Sequence, residues 1–588
     1  MLAFIKKYLL LLRQDFKLCA VLALPGLAAY FIGLWQLQAI SWASLTIGAL
    51  HKFAAEFLVI ALIFCFLHFL GFKKRWFLAL AVFIYYITVT ADVALLFYFK
   101  ERFGLKYLMT LGGAQYKFLA DIRMLLFLAF LYLFPYFAIK RWWHRPSLRQ
   151  SAKKFALCAV LLALLTLISP LNYMKGNDIF FAAQLVPTTT VAIAHEVFSH
   201  KIPYRSFNSA EELPQDLKDA AQKYNLFSPS DFTNQKTYDR IILLTTEAFS
   251  NKFISAFNAA VPKEASGVFD SLALKYPYAS LKPVTLSTLY GLSVIFSGHP
   301  NAEVIFKNKF PLSFVRMLKD NGFKTVFIRG ASEEYMNEQT LFKEAGFEDM
   351  YGAKFFSEQP KYSNFVAWWG LTDRKLFDFT AEYLAAHKNE KVFINILTVD
   401  SHVPSGREDY LGQKYPSLDN ASIPENIRKM YTRANMPRAF ARYNYDLGLF
   451  IKNLEESGLL DDKTLLAVTG DHPFFANVDS STLFDNYRSV FDEVPLILIT
   501  KNPIQENVSY GLLKSQQDIA PTILGLAGLK TPRGMFGRSI FENTGRAVFN
   551  IKNGYAVITT SEGKRIIPFT TKNPQDKALI TLLNTVIK

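Results

Sequence analysis

Cysteine is almost missing from this chain of 588 residues: there are three, Cys19, Cys65 and Cys158, each inside an apolar run. None follows Cys158, which excludes disulfide bonds from the C-terminal two thirds whatever the redox state of its compartment. Acidic residues are scarce at the other end. Residues 1–174 carry 5 Asp and Glu against 19 Lys and Arg, a net of +14. The remaining 414 residues carry 44 acidic against 46 basic groups, a net of +2. The overall +16 and the pI near 9.3 therefore belong to the N-terminal third. The larger part lacks the basic face that nucleic acid would require, so no nucleic-acid partner is expected. Internal repeats and low-complexity tracts are absent too. No small-residue cleavage site follows the first apolar stretch, which is expected to double as the export signal.

What the sequence has in excess is apolar mass: 51% hydrophobic residues and 54 phenylalanines, concentrated in the first 175 or so residues. A bilayer core needs roughly 20 apolar residues per helix. Five stretches meet that length, at 17–36, 53–71, 76–98, 121–139 and 155–173. Basic residues then orient them. Lys6, Lys7, Arg13 and Lys17 precede the first stretch, Lys73-Lys74-Arg75 forms the second loop, and Lys140 to Lys154 the fourth. The first loop, 37–51, has no Lys or Arg. The positive-inside bias puts the N-terminus and even loops in the cytoplasm and everything after about 174 outside. Loop 100–120 is basic as well, and is read as an amphipathic segment on the outer interface. Residues 179–198 are apolar but hold Gln184, Pro187, His195 and Glu196. They are read as interfacial; a sixth span is the rival. Asp92, inside the third stretch, stands as an intramembrane functional candidate beside a plain packing role.

Past the membrane part, a linker with one helix (210–224) is expected, and then a βα pattern. Short apolar runs at 240–246, 323–328, 391–399, 464–469 and 495–500 resemble buried parallel strands, with helices such as 374–388 and 437–457 between them. This alternation predicts a doubly wound α/β sheet, whose strand ends gather function. Glu247 follows the first run, Asp400 and His402 the third, Asp471 and His472 the fourth. Thr285 lies on a turn entering a helix. Carboxylates, imidazole and hydroxyl together suit a divalent cation, which would make Thr285 a nucleophile. Each signal alone has an ordinary reading: an Asp-His pair is usually loop polarity, and Thr285, Ser287 and Thr288 could cap the helix. His195, Glu196 and His200 are set aside as a zinc-protease motif. Their i, i+5 spacing turns the imidazoles about 140° apart on a helix.

The stretches RIILLTTEAFS, PVTLSTLYGLSVIFSGHP, WWGLTDRKLFDFTAEYL, TVDSHVP, TLLAVTGDH and QQDIAPTILGLAGL, in that order, resemble the lipoteichoic-acid synthase and phosphoglycerol transferase family. That family belongs to the alkaline phosphatase and sulfatase superfamily, with phosphoethanolamine transferases as cousins. The resemblance implies an N-terminal five-helix transmembrane bundle and a C-terminal sulfatase-like α/β domain. It implies Glu247, Thr285, Asp471 and His472 as metal ligands, Thr285 also as nucleophile, and His402, Trp369 and Asp373 as substrate-binding residues. One divalent metal is implied, Mn²⁺ or Zn²⁺ with Mg²⁺ as a third candidate. The implied partners are a phospholipid donor, a glycan or glycolipid acceptor and the cell membrane, with the protein a monomer. Three departures from the family pattern are Pro473 after the Asp-His pair, PFFANVD downstream of it, and Ala248 after the glutamate. Thr288 is the fallback nucleophile.

The expected organisation is thus a transmembrane domain at 1–174, a linker at 175–237 and an extracytoplasmic catalytic domain at 238–588. The expected activity is transfer of phosphoglycerol or a similar head group. The alternatives are a phosphoethanolamine transferase acting on lipid A or glycan, and a non-catalytic membrane sensor.

Overall fold

The computed structural model describes residues 16–36, 44–72, 74–99, 122–143, 148–167, 204–227, 230, 232–234, 236–259, 261, 263–285, 288–333, 338–366, 370–402, 436–473, 493–545, 547–552, 555–569 and 571–587. The chain divides into two units, Met1–His200 with Val478–Phe484, and Lys201–Asn477 with Asp485–Lys588.

In the first unit, helices stand at the five apolar stretches: Phe16–Gln36, Ala49–Phe69, Arg75–Phe99, Ile122–Trp142 and Leu148–Leu167. Most are apolar nearly all round, while Leu148–Leu167 opens on Arg149, Lys153 and Lys154 before its apolar run. Leu22, Ile60, Phe64, Leu78, Val82 and Ile139 form their shared core, while Phe66, Ile84 and Phe137 are exposed. Among the described residues, Ala49–Phe69 is long and apolar enough to cross a membrane. The segments 100–120 and 179–198 and the side chain of Asp92 lie outside the described residues. The buried carboxylate described within these helices is Glu56. It lies 3.0 Å from Lys52 one turn away and accepts from the Tyr85 hydroxyl. A Cβ at Gly26 would come within 2.3 Å of the Glu56 carboxyl carbon, so the residue facing this ion pair must lack a side chain. Trp143 is buried, its ring 5.1 Å from Phe64.

The strands belong to the second unit. In chain order they are β1 (Arg205–Phe207), β2 (Arg240–Thr246), β3 (Tyr278–Leu281), β4 (Lys324–Arg329), β5 (Asp349–Tyr351), β6 (Val392–Leu397), β7 (Thr464–Gly470), β8 (Val494–Thr500), β9 (Val548–Lys552), β10 (Tyr555–Thr560), β11 (Gly563–Pro568) and β12 (Thr585–Ile587). Among the described residues, seven make the main sheet, in the order β3-β8-β7-β2-β6-β4-β5. All five predicted strands are in it. The central β2 shows why the runs are continuously apolar. Ile242 and Leu244 enter one core with Phe249 and Phe269, and Ile241 and Leu243 enter the core on the opposite face with Leu292 and Phe296. One expectation fails: the run at 495–500 is not parallel to its neighbours, because β8 pairs antiparallel with both β7 and β3. Every residue of β7 and β8 is buried, and burial on both faces carries no information about direction.

The linker expectation also changes. β1 pairs parallel with β12 at the chain's other end. Leu217 and Ala221 of the helix Gln215–Lys223 are buried with Leu579 and Leu583 of Pro574–Leu583. Residues 204–227 therefore belong to the second unit, held by a periodic apolar face that finds its partner only after folding. A smaller antiparallel sheet, β9-β10-β11, completes the unit.

Just past the helix Thr288–Ser297, His299 is fully buried. Its Nδ1 accepts from the Asn301 amide at 3.0 Å, and its Nε2 faces the Thr585 carbonyl at 3.0 Å. That assigns the neutral tautomer with hydrogen on Nε2. Burial pushes its pKa down from 6.5 to about 4. The unfolded chain therefore binds a proton that the folded chain refuses between those values. Stability is complete above about 6.5 and declines as pH falls towards 4, by about 3 kcal/mol in all. Urea unfolding of wild type and His299→Gln across pH 4–7 checks this: the difference between them should be pH-dependent only in that window.

Candidate metal centre

Register brings the first candidates together. Thr246 of β2 pairs with Gly470 of β7, so Glu247 and Asp471 leave adjacent strands side by side. Possible ligand atoms of Glu247, Asp471 and His472 all lie within 4.8 Å of one another, and the three residues are buried. β6, on the other side of β2, leads into Thr398 to His402. Thr398 accepts from the Glu247 amide at 3.0 Å, and the Ser401 hydroxyl donates to the Glu247 carbonyl at 2.7 Å. Ala248 adopts a left-handed backbone, φ +54°, a cost of order 1 kcal/mol. This turn points its amide at Asp471 Oδ1, 2.8 Å away.

The hydroxyl at this cluster belongs to Thr288, not to the expected Thr285. Thr288 donates to Glu247 Oε2 at 3.1 Å and stands 3.3 Å from His472 Nε2. It is the first residue of the helix Thr288–Ser297, and the half-buried Thr285 lies on the approach to it. The described helix begins at Thr288, three residues past Thr285. A helix N-terminus there offers free amides to an anion.

Metal fit is decided by two atoms. Asp471 Oδ2 is buried and accepts no hydrogen bond among the described residues; His472 Nε2 lies 3.5 Å away. His472 Nδ1 faces the Pro473 carbonyl at 2.9 Å. With the hydrogen on Nδ1, Nε2 turns a lone pair towards the carboxylates. The contact uses the backbone carbonyl of Pro473, so proline in place of the family's glycine leaves it intact. Two carboxylates, one imidazole and a hydroxyl fit Zn²⁺ or Mn²⁺ better than the oxygen-preferring Mg²⁺.

Electrostatics agree. Burial would raise the Glu247 pKa, but the charges of His402 and His472 hold it down, at about 2. Burial and the Glu247 charge push Asp471 up to about 7. Burial works against a charged His472, yet Asp471 and Glu247 raise it to about 9. Without a cation, the cluster takes up protons in its place.

The other candidates separate. His402 is half-buried at the end of the β6 segment, and its charge is felt at Glu247. Trp369 lies outside the described residues. Asp373, expected at the substrate, is buried beneath the turn that leads to His402. Its Oδ1 accepts from the Val399 amide at 2.7 Å, and its own amide donates to Asp400 Oδ2 at 3.0 Å. A carboxylate at the first turn of Asp373–Ala386 thus holds this turn. Burial and Asp400 push Asp373 well up, and burial with Asp446 takes Asp400 to about 7. Thr398 and Ser401 were missed by sequence reading; Ser401, next to His402 in TVDSHVP, was the visible signal.

Residues 241–529 match the family described as Sulfatase. Curated relatives described as phosphoglycerol transferase I, from Salmonella choleraesuis (strain SC-B67) and Salmonella typhi, are 23% identical over 286 residues. The match covers 45% of this chain and 34% of theirs, so the chain spans about a third of the length of the curated relatives it matches. Among solved structures, the integral membrane protein lipooligosaccharide phosphoethanolamine transferase A from Neisseria meningitidis is similar with a TM-score of 0.57 at 15% identity. That likeness covers 87% of this chain and 95% of the other, and so takes in the N-terminal helices. The lipoteichoic acid synthase LtaP from Listeria monocytogenes gives a TM-score of 0.48 at 18% identity, over 62% of this chain and 96% of that one.

Proposed function

Starting from a chain that carries a sulfatase-family domain over residues 241–529 and is a relative of the lipoteichoic-acid synthases and phosphoglycerol transferases of the alkaline phosphatase superfamily, we propose a membrane-anchored, metal-dependent phosphotransferase. It moves phosphoglycerol from a phospholipid to a glycan or glycolipid of the cell envelope through a phospho-threonine intermediate. The observation that carries this reading is the Thr288 hydroxyl, hydrogen-bonded to Glu247 at the mouth of its helix and facing His472. In our reading the five helices cross the cell membrane, the second unit lies outside the cytoplasm, and the protein works as a monomer. A lipid donor explains why such a site is tied to spans, and no ATP is needed there.

Glu247, Asp471, His472 and Thr288 would hold the divalent cation. When bound, it would lower the pKa of the nearby hydroxyl and neutralise charge on the phosphate oxygens. Thr288 Oγ forms the bond to phosphorus as the bond from phosphorus to the diacylglycerol oxygen breaks. Oγ gives up its proton to water as it bonds to phosphorus, and the departing diacylglycerol oxygen takes up one proton from water, with no net gain or loss of protons. His402 and the free amides at the helix start bind the phosphate. An acceptor hydroxyl then repeats the displacement at Thr288 in reverse. A non-catalytic sensor would have no reason to keep all four of these residues converging on one point.

Purified full chain in detergent, incubated with phosphatidylglycerol or phosphatidylethanolamine, tests the reading through diacylglycerol release. Release from phosphatidylglycerol at least ~10-fold faster is expected. The opposite preference would move the assignment to phosphoethanolamine transfer, and release from neither lipid would sink the proposal.

A further inference from the structure

Gln516 is fully buried, and both ends of its side-chain amide are used on the two segments that make the site. Its side-chain Oε1 accepts from the Val284 amide at 3.1 Å, on the turn that leads into Thr288. Its Nε2 donates to the Asp471 carbonyl at 2.7 Å and the Gly470 carbonyl at 3.1 Å. Its backbone amide donates to the Lys282 carbonyl at 3.2 Å, beside the parallel bridge between Lys282 and Ser515. Gln516 is itself fixed. Ser515 and Asp518 close a reciprocal cap around it, and Asp518 Oδ1 accepts from the Arg538 amide at 2.8 Å.

The same Asp471 carbonyl is approached from the other side. A Cβ built on Gly291, three residues past Thr288, would lie 2.1 Å from it. No heavy atom fits at that distance, so the Thr288 helix touches the Asp471 backbone because position 291 is glycine. One carbonyl is thus held between the amide of Gln516 and the bare face of the nucleophile's helix.

We infer that Gln516 is a positioning residue whose amide sets the spacing between Thr288 and the Asp471–His472 pair. It touches neither substrate nor reacting atoms; it acts through the two chain segments it joins. The inference rests on the transferase reading above for its kinetic consequence, but not for its consequence on metal binding. A buried amide with both ends used on backbone has a fixed length, and a spacing set this way is retained when a ligand arrives.

The test uses the full chain in detergent, with Mn²⁺ as the probe, and the variants Gln516→Leu, Gln516→Glu and Gly291→Ala. Mn²⁺ affinity is expected to fall ~10–100-fold in Gln516→Leu, the usual range for a lost supporting group. At saturating Mn²⁺, kcat should fall at least ~10-fold while KM for the lipid stays within ~3-fold, because Thr288 is misplaced and the lipid contacts are not. Gly291→Ala leaves Gln516 in place but disturbs the same contact, and should lower Mn²⁺ affinity too. If Gln516→Leu fails to fold, Gln516→Glu carries the measurement, since it keeps the size and the acceptor for Val284 but loses the donor for Asp471. Folded variants with a lower unfolding temperature but wild-type Mn²⁺ affinity and kcat would overturn the inference and leave Gln516 merely structural. A wild type that binds Mn²⁺ but transfers no head group would sink the transferase reading instead, with the affinity measurement still deciding on Gln516.

Discussion

Thr288→Ala should abolish head-group transfer, by on the order of 10⁴-fold or more, because it removes the atom that bonds to phosphorus in the proposed reaction. Thr285→Ala should stay within a few-fold of wild type. The contrast matters because both threonines lie in PVTLSTLYG and either reads as a capping hydroxyl. Geometry separates them: the Thr288 hydroxyl is 3.1 Å from Glu247 Oε2 and 3.3 Å from His472 Nε2, whereas Thr285 lies on the approach to the helix. Mass spectrometry after incubation with labelled phosphatidylglycerol should find the phosphoglycerol adduct on Thr288. Thr288→Ser should retain measurable transfer, since serine keeps a hydroxyl on the same carbon. An adduct on Thr285, or a dead Thr285→Ala variant with an active Thr288→Ala, would return the role to the residue that the sequence first suggested.

The three-residue step from Thr285 to Thr288 is a distance that sequence pattern does not resolve. The cluster of Glu247, Asp471 and His472 was legible because its members follow continuous apolar runs, and such runs are buried strands of an α/β sheet. Glu247 and Asp471 meet because their strands are neighbours in register; strand-end placement already implied a meeting, though not the pairing. The helix start was harder, since Thr285, Ser287 and Thr288 are equivalent in composition. The direction of β8 was hidden by its uniform burial. Residues 204–227 looked like a linker because the surface that buries Leu217 is supplied by Leu579 and Leu583, close to the far end of the chain. Glu56 was overlooked for a related reason: inside a run of phenylalanine, leucine and isoleucine, only its partners Lys52 and Tyr85 explain it.

Stripping the divalent cation should silence the protein, and the pH dependence of rebinding should identify the donors. In the metal-free site His472 is raised to about 9, despite burial, by Asp471 and Glu247. Burial and Glu247 raise Asp471 to about 7, while Glu247, with His402 and His472 beside it, sits at about 2. Below pH 9 the cation must therefore displace the His472 proton, and below pH 7 the Asp471 proton as well. Glu247 releases none in this range. Affinity should rise with pH up to about 9 and fall as pH drops, with about one proton released per cation at pH 8 and about two at pH 6. Calorimetry of Mn²⁺ or Zn²⁺ binding in buffers of different ionisation enthalpy counts those protons directly. His472→Ala should weaken binding by ~100-fold or more and lower the release at pH 8 by less than a full proton, because the His472 charge that holds Asp471 down is lost with it. Asp471→Asn should spare the release at pH 8 less than arithmetic suggests, because the carboxylate it removes is the first of the charges that hold His472 at about 9. The imidazole pKa then drops and less proton is left to displace. Proton release that stayed the same in both variants would mean that the cation binds elsewhere, and that these three residues converge for another reason.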